Sequence, residues 1–235
     1  MKCLICGGET KLAPIHEVWT EADYRFWRCL ECGSETSDRQ YTPADYNCDN
    51  RDDYFLEQLG SWPNVLEQLN TNVHLFAKNS DGVSGKTFLD VGYCDGAMLA
   101  RMSAIGCDVT GFDVFPHKAQ KIAARAGISQ SQLFHGDSLV VIQDTFDMIN
   151  CREVIEHVAE PHLLMRQMVA RLNPNGLLQV QTPLPSGNDS RIPYQIQHLC
   201  LISHPMLRAM GLAHGLSIVE TLLWPLGQAI VFRGK

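Results

Sequence analysis

The 235-residue chain contains no run approaching the ~20 uncharged apolar residues that a membrane-spanning helix needs. Its opening, MKCLICGG, reaches a cysteine pair before the apolar core of a signal peptide could form. These absences predict a soluble, cytoplasmic protein with no membrane partner. An excess of basic residues is missing as well. The formal charge is −7, and a cut after Asn50 leaves 5 basic and 9 acidic residues before it, 14 and 17 after it. Proteins that grip nucleic acid by its phosphates carry a Lys/Arg-rich face, so this balance argues against long duplex partners and leaves only a short RNA end open. A disulfide framework is disfavoured too: the nine cysteines are an odd number, and four of them form two CxxC pairs of metal-binding type.

Cys3-Leu-Ile-Cys6 and Cys29-Leu-Glu-Cys32 are separated by 22 residues and each is followed by glycine. That spacing is close to that of structural zinc sites, where two knuckles supply four thiolates to a tetrahedron and leave no open position for a catalytic water. A strand over residues 24–28 would feed the second knuckle. About 40 residues cannot build a sufficient core alone, so metal binding would supply folding energy. The expected division is a zinc ribbon over 1–40, a linker and N-terminal helices over 41–80, and a catalytic domain over 81–235.

Residues 36–53 are polar and aperiodic, as expected of a linker. From Tyr54 to Phe76 the apolar positions Phe55, Leu59, Val65, Leu66, Leu69, Val73 and Leu75 recur at roughly helical spacing around a break at Trp62-Pro63. Strand and helix signals then alternate. Residues 86–91 read as a buried strand, followed by a turn from Gly92 to Gly96 and a helix over 97–105. A second strand ends on Asp113, 21 residues after Gly92, and a third leads to His135-Gly-Asp137-Ser138. A fourth ends at Cys151 and runs into a helix, and Asn173-Pro-Asn-Gly176 precedes a fifth over 177–181. Such alternation implies an α/β fold with a parallel sheet and ligands at the carboxyl ends of its strands. A closing antiparallel hairpin is expected from Leu216–Leu223 and Gln228–Phe232, with Ser203 capping the helix before it. His204 and His214 read as surface or capping residues.

The ordered segments LDVGYCDG, GFDV, GDS, FDMINCREVIEHV and LNPNG resemble the class I S-adenosylmethionine-dependent methyltransferases from Leu89 to about Glu220. The resemblance implies a Rossmann-like sheet, mostly parallel with an antiparallel last strand. It also implies that Asp90, Gly92 and Gly96 line the methionine end of the cofactor, that Asp113 holds the ribose, that Asp137 and Ser138 face the adenine, and that Cys151 passes near the methionine. Cys94 stands where the family has its middle glycine. A nicotinamide-binding domain would want G-x-G-x-x-G, which residues 92–97 do not supply.

Glu153, Glu156 and His157 stand at i, i+3 and i+4, a spacing that would put all three on one helical face. CREVIEHVAEP is similar to the ubiquinone-pathway O-methyltransferases and to the small-RNA terminal 2′-O-methyltransferases, a resemblance that implies a divalent cation completed by a downstream histidine. His198 occupies that place here, although Thr182-Pro183 is followed by Leu184 rather than the asparagine of the RNA enzymes. Glu153, Glu156, His157 and His198 are therefore the candidate ligands for Mg²⁺, Mn²⁺ or Zn²⁺. The alternative is a metal-free site in which Glu153 complements a helix terminus and His157 and His198 act as general base or substrate contacts. Residues 183–197 lack periodicity and would form a substrate lid.

Three functions remain open. Methyl transfer to a small metabolite or sugar leads, with the ribbon shaping the substrate mouth. Terminal RNA 2′-O-methylation has the ExxEH face and His198 for it, and the acidic balance against it. A zinc-ribbon adaptor with an inactive cofactor fold has only Cys94 in its favour.

Overall fold

The computed structural model describes residues 1–12, 25–38, 63–114, 119–185, 198–225 and 227–235. Three short strands, β1 (Thr10–Leu12), β2 (Phe26–Cys29) and β3 (Glu35–Ser37), make the N-terminal unit. Helix α1 (Pro63–Asn79) precedes the main domain. There follow β4 (Thr87–Val91), α2 (Ala97–Ala104), β5 (Asp108–Asp113), α3 (Ala119–Ala126), β6 (Leu133–His135), β7 (Phe146–Arg152) and α4 (Pro161–Val169). The chain continues through β8 (Leu172–Pro183), β9 (Cys200–Leu201), α5 (His204–Ala213), β10 (Ser217–Trp224) and β11 (Gly227–Arg233).

Seven strands form one sheet in the order β10-β11-β8-β7-β4-β5-β6. The pairs from β8 to β6 are parallel, and β11 runs antiparallel to both β8 and β10. Alternation along each strand sends side chains to two faces. Leu89, Val91, Ile149, Leu178, Val180, Ile230 and Phe232 join a core with α4 and α5 on one face, whereas Phe88, Met148, Leu177 and Val231 join α1, α2 and α3 on the other. Strand order reverses beside β4, which opens a crevice at the carboxyl ends of β4, β5 and β7. Among the described residues, no helix is long and apolar enough to cross a membrane.

Pro63 opens α1 at the expected break, as its missing N–H permits at a first helical position; residues 39–62, and residues 186–197 of the expected lid, lie outside the described set. Several elements depart from the sequence expectation. Thr36 and Ser37 belong to a buried strand rather than a linker, because β3 pairs on both edges, with β2 and with β9. Asn173–Gly176 lies inside β8, where Asn175 takes φ 60, a conformation asparagine tolerates. The run after β7 is not an α-helix: Ile155–His157 forms one 3₁₀ turn and the helix waits for Pro161. Ser203 stands at the N-cap position of α5 with no side-chain cap bond to the helix, its hydroxyl donating instead to the carbonyl of Cys32 at 2.5 Å.

Candidate active site and cysteine cluster

The Sγ atoms of Cys3, Cys6, Cys29 and Cys32 lie within 4.8 Å of one another. Two of the edges, Cys3–Cys32 and Cys6–Cys29, measure 3.7 and 3.4 Å. A zinc tetrahedron with bonds of about 2.3 Å has edges of about 3.8 Å, so this donor set fits the ion. The backbone N–H groups of Glu31 and Cys32 both point at Cys29 Sγ, each at 3.4 Å. Burial opposes ionisation of the Cys29 thiol, but these amides and the neighbouring sulfurs bring it down to about 7.

At the end of β4 the chain turns through Gly92 (φ 75), Cys94 (φ 46) and Gly96 (φ 72). All three lie in the left-handed region, so the turn keeps its shape with a cysteine at its centre. A Cβ on Gly92 would stand 2.2 Å from Val154 Cγ2, and one on Gly96 would stand 2.5 Å from Ile122 Cγ2. Asp113, at the end of β5, accepts the N–H of Cys94 at 3.2 Å. Asp90 is buried one pleat behind this loop and accepts from Asn150 Nδ2 at 2.7 Å. Burial pushes its carboxyl up to about 7, against the opposing pull of Asn150 and Arg152. Asp137 is exposed at the end of β6. Ser138 caps the 3₁₀ turn Leu139–Val141 and accepts from Gln167 Nε2 at 2.7 Å. Cys151 is fully buried within the α4/α5 core.

Across the mouth, Glu156, His157 and His198 bring ligand atoms within 4.8 Å of one another, and the two imidazole centroids are 4.8 Å apart. Glu153 is not in this group. It sits before the 3₁₀ turn at φ 53, and its carboxylate takes a hydrogen bond from Gln181 at 3.2 Å. The helical spacing that would have aligned it with Glu156 and His157 is absent. Glu156 is fully buried and accepts from Thr182 Oγ1 at 3.0 Å. Its other oxygen and Nδ1 of His198 are buried with no hydrogen-bond partner among the described residues. Burial raises the carboxyl groups of Glu156 and Glu153. Burial, reinforced by His157, lowers His198 to about 3, so its ring is neutral at physiological pH. A carboxylate and two imidazoles, with Glu156 Oε1 and His198 Nδ1 buried and without a hydrogen-bond partner among the described residues, fit a transition-metal ion better than Mg²⁺, which prefers oxygen. The supporting residues Asn150, Gln181 and Thr182 were not singled out from the sequence; polar side chains in strands otherwise built from apolar residues were the available signal.

Parallel strands reversing order at β4, with the penultimate edge strand antiparallel, make this a Rossmann-like S-adenosylmethionine-dependent methyltransferase fold. The N-methyltransferase NodS from Bradyrhizobium japonicum, solved with S-adenosylhomocysteine, superposes with a TM-score of 0.60 at 18% identity over 79% of this chain and 97% of its own. The 1,6-didemethyltoxoflavin-N1-methyltransferase of Burkholderia thailandensis gives 0.60 at 15% identity, over 92% and 98%. The chain belongs to the methyltransferase-domain family, whose family model matches residues 55–221. Similar curated proteins include the ubiquinone biosynthesis O-methyltransferases of Schizosaccharomyces pombe and Histophilus somni. The first is 32% identical over 105 residues, 42% of this chain and 38% of the relative. The second is 31% identical over 144 residues, 54% and 60% respectively. The chain thus spans about half the length of these curated relatives.

Proposed function

We propose that the protein transfers the methyl group of S-adenosylmethionine to a small polar metabolite or sugar. The observation that carries this reading is the left-handed turn from Gly92 to Gly96 held by the Asp113 carboxylate, in a chain that belongs to the methyltransferase-domain family. Bound there, the cofactor supplies an electrophilic methyl on a sulfonium. Asp90, Gly92 and Gly96 would line its methionine end. Asp113 would exchange the Cys94 amide for, or share it with, the ribose hydroxyls. Asp137 would meet the adenine. Ser138, whose hydroxyl is engaged in capping, would shape the adenine end, and Cys151 would offer backbone alone.

A hydrogen-bonding acceptor is supported by polar groups on the α1 face of the sheet. Asn72 Nδ2, Asn150 Oδ1, Arg152 Nη1 and both amide atoms of Gln179 are buried with no partner among the described residues. Asn150 and Gln179 are register neighbours. Buried polar atoms are normally paired, so a matched set of donors and acceptors suits a hydroxylated or amide-bearing substrate.

In the transfer the sulfonium S–C bond breaks, the acceptor–methyl bond forms, and the acceptor's proton leaves. His157 is the base we assign, since His198 titrates too low to take that proton near neutrality. In the alternative reading of the same cluster, Glu156, His157 and His198 would instead hold a divalent cation, with His157 as a ligand rather than the base and Glu153 steadying Glu156 from outside. Such a cation would supply Lewis acidity to an acceptor hydroxyl. The four cysteines hold a structural zinc. The deciding experiment is incubation with methyl-labelled cofactor and separated cell extracts. Label should enter the small-molecule fraction; label confined to RNA, or none transferred, would overturn the proposal.

A further inference from the structure

The segment that carries His198 is held from two sides: Gln228 Nε2 of β11 donates to the carbonyl of Ile202 at 2.7 Å within the catalytic domain, and further ties run to the cysteine unit. Strand β9 begins two residues after His198, and among the described residues its only sheet partner is β3 of the cysteine unit, with Glu35 opposite Leu201 and Thr36 opposite Cys200. Leu199 is bonded on both sides. Its N–H donates to the carbonyl of Glu156 at 2.8 Å, while its own carbonyl accepts the N–H of Ser37 at 2.9 Å. One residue therefore ties the turn bearing Glu156 and His157 to the cysteine unit. Two further ties converge there: Ser203 donates its hydroxyl to the carbonyl of Cys32 at 2.5 Å and its N–H to Ser34 Oγ at 3.0 Å. On the other knuckle, His162 of α4 bonds the carbonyl of Ile5 at 2.7 Å. Cys3, Ile5 and Cys29 pack into the same core as Ile155, Cys200 and Ile202.

β1, β2 and β3 are three, four and three residues long. Sheets this small do not persist on strand pairing, so the order of β3 depends on what the four thiolates hold. We propose that the cysteine unit is a metal-dependent splint for the active site: its zinc-ordered strand β3, with Ser34 and Cys32, fixes the His198 segment against the Glu156–His157 turn. The cofactor loop, at the carboxyl ends of β4 and β5, lies outside this set of bonds. Loss of the ribbon metal would then disarm the three-residue cluster while leaving cofactor binding in place. Ser34 and Ser203 are positioning residues in this arrangement, since neither belongs to the cluster. The inference rests on the reading of Glu156, His157 and His198 as the reactive site, but its test reads backbone protection and needs neither turnover nor an identified acceptor.

The test is hydrogen exchange on the full chain, compared between the zinc-loaded parent and a Cys29→Ser, Cys32→Ser variant, with S-adenosylhomocysteine affinity measured on both. Peptides covering 155–157 and 198–203 should exchange at least tenfold faster in the variant, while those covering β4 and β5 and the cofactor affinity stay at parent values. Unchanged protection at 155–157 in protein that lacks ribbon zinc would overturn the proposal. If the double variant no longer binds the cofactor, Ser203→Ala decides, because that hydroxyl makes no cap bond to α5 and touches neither thiolate nor cluster. Losing one hydrogen bond of about 1 kcal/mol should speed exchange of the Leu199 amide about fivefold with zinc retained. Exchange within about twofold of the parent would mean that the cysteine unit rests against the site without positioning it.

Discussion

The backbone N–H of Cys94 donates to Asp113 Oδ2 at 3.2 Å, joining the turn after β4 to the end of β5 across the mouth of the crevice. In the proposed function the same carboxylate would hold the cofactor's ribose. Asp113→Ala removes a charged acceptor from this partly buried position, and cofactor binding should weaken by about 1.5–3 kcal/mol. Titration calorimetry with S-adenosylhomocysteine measures it. An affinity equal to the parent's would mean that the carboxylate serves only the turn.

Gly92 tests the turn itself. At φ 75, with Val154 Cγ2 at 2.2 Å from where a Cβ would stand, Gly92→Ala meets both backbone strain and a stiff β-branched neighbour. The expected loss is about 2–4 kcal/mol in urea unfolding, combining the left-handed penalty with overpacking. A loss below about 0.5 kcal/mol would show that the turn has a different conformation in solution.

The cysteine tetrad predicts about one zinc per chain in purified protein, the stoichiometry of a four-thiolate structural site. Elemental analysis of the Cys29→Ser, Cys32→Ser variant should show that zinc gone. Undiminished zinc would place the ion elsewhere.

Order along the chain was legible because strand, glycine turn, helix and terminal acid are local patterns. The placements of Asp113 and of the Gly92–Gly96 turn follow directly from them. What could not be read is set by contacts between distant segments. Thr36 and Ser37 look like linker until β9 arrives much later in the chain, with Cys200 in register opposite Thr36, to make β3 an internal strand. The i, i+3, i+4 arithmetic on Glu153, Glu156 and His157 assumed a helix, whereas Glu153 N–H is claimed by the carbonyl of Gln181 at 3.0 Å and the chain turns before it coils. His198 is brought beside Glu156 where the next residue, Leu199, donates its N–H to the Glu156 carbonyl at 2.8 Å, a long-range bond that no local period encodes.

Asp90 supplies a pH signature. Its carboxyl titrates at about 7 in the folded chain against 3.8 in the ordinary state, so between these values the folded protein holds a proton that the unfolded chain has released. That contribution to stability is complete below about pH 4 and is lost as pH rises to about 7. Urea unfolding of the parent, referred to Asp90→Asn at each pH, should therefore show the parent losing ground from pH 4 to 7 and then levelling. Groups shared by both proteins, among them Glu153, Glu156 and His198, cancel in that difference. A difference independent of pH would mean that Asp90 is ionised throughout.

Glu156 decides whether the second cluster holds metal. Glu156→Gln keeps an oxygen that can accept the Thr182 hydroxyl and retains the shape of the side chain, but it removes the charge and one competent ligand oxygen. With the ribbon already loaded with zinc, equilibrium dialysis against Mn²⁺ or Co²⁺ should show one further ion bound by the parent. Thr182→Val, which leaves the carboxylate in place and removes only its support, should weaken that ion by about 10–100-fold, and Glu156→Gln should weaken it more. Because burial raises the Glu156 carboxyl, the ion must displace a proton, so its affinity should fall on acidification, and methyl transfer should fall with it. A chelator that removes this ion while sparing the ribbon zinc should abolish transfer. If the zinc-loaded parent takes up no further ion, the metal reading fails, and His157 and His198 act on the acceptor directly as base and contact.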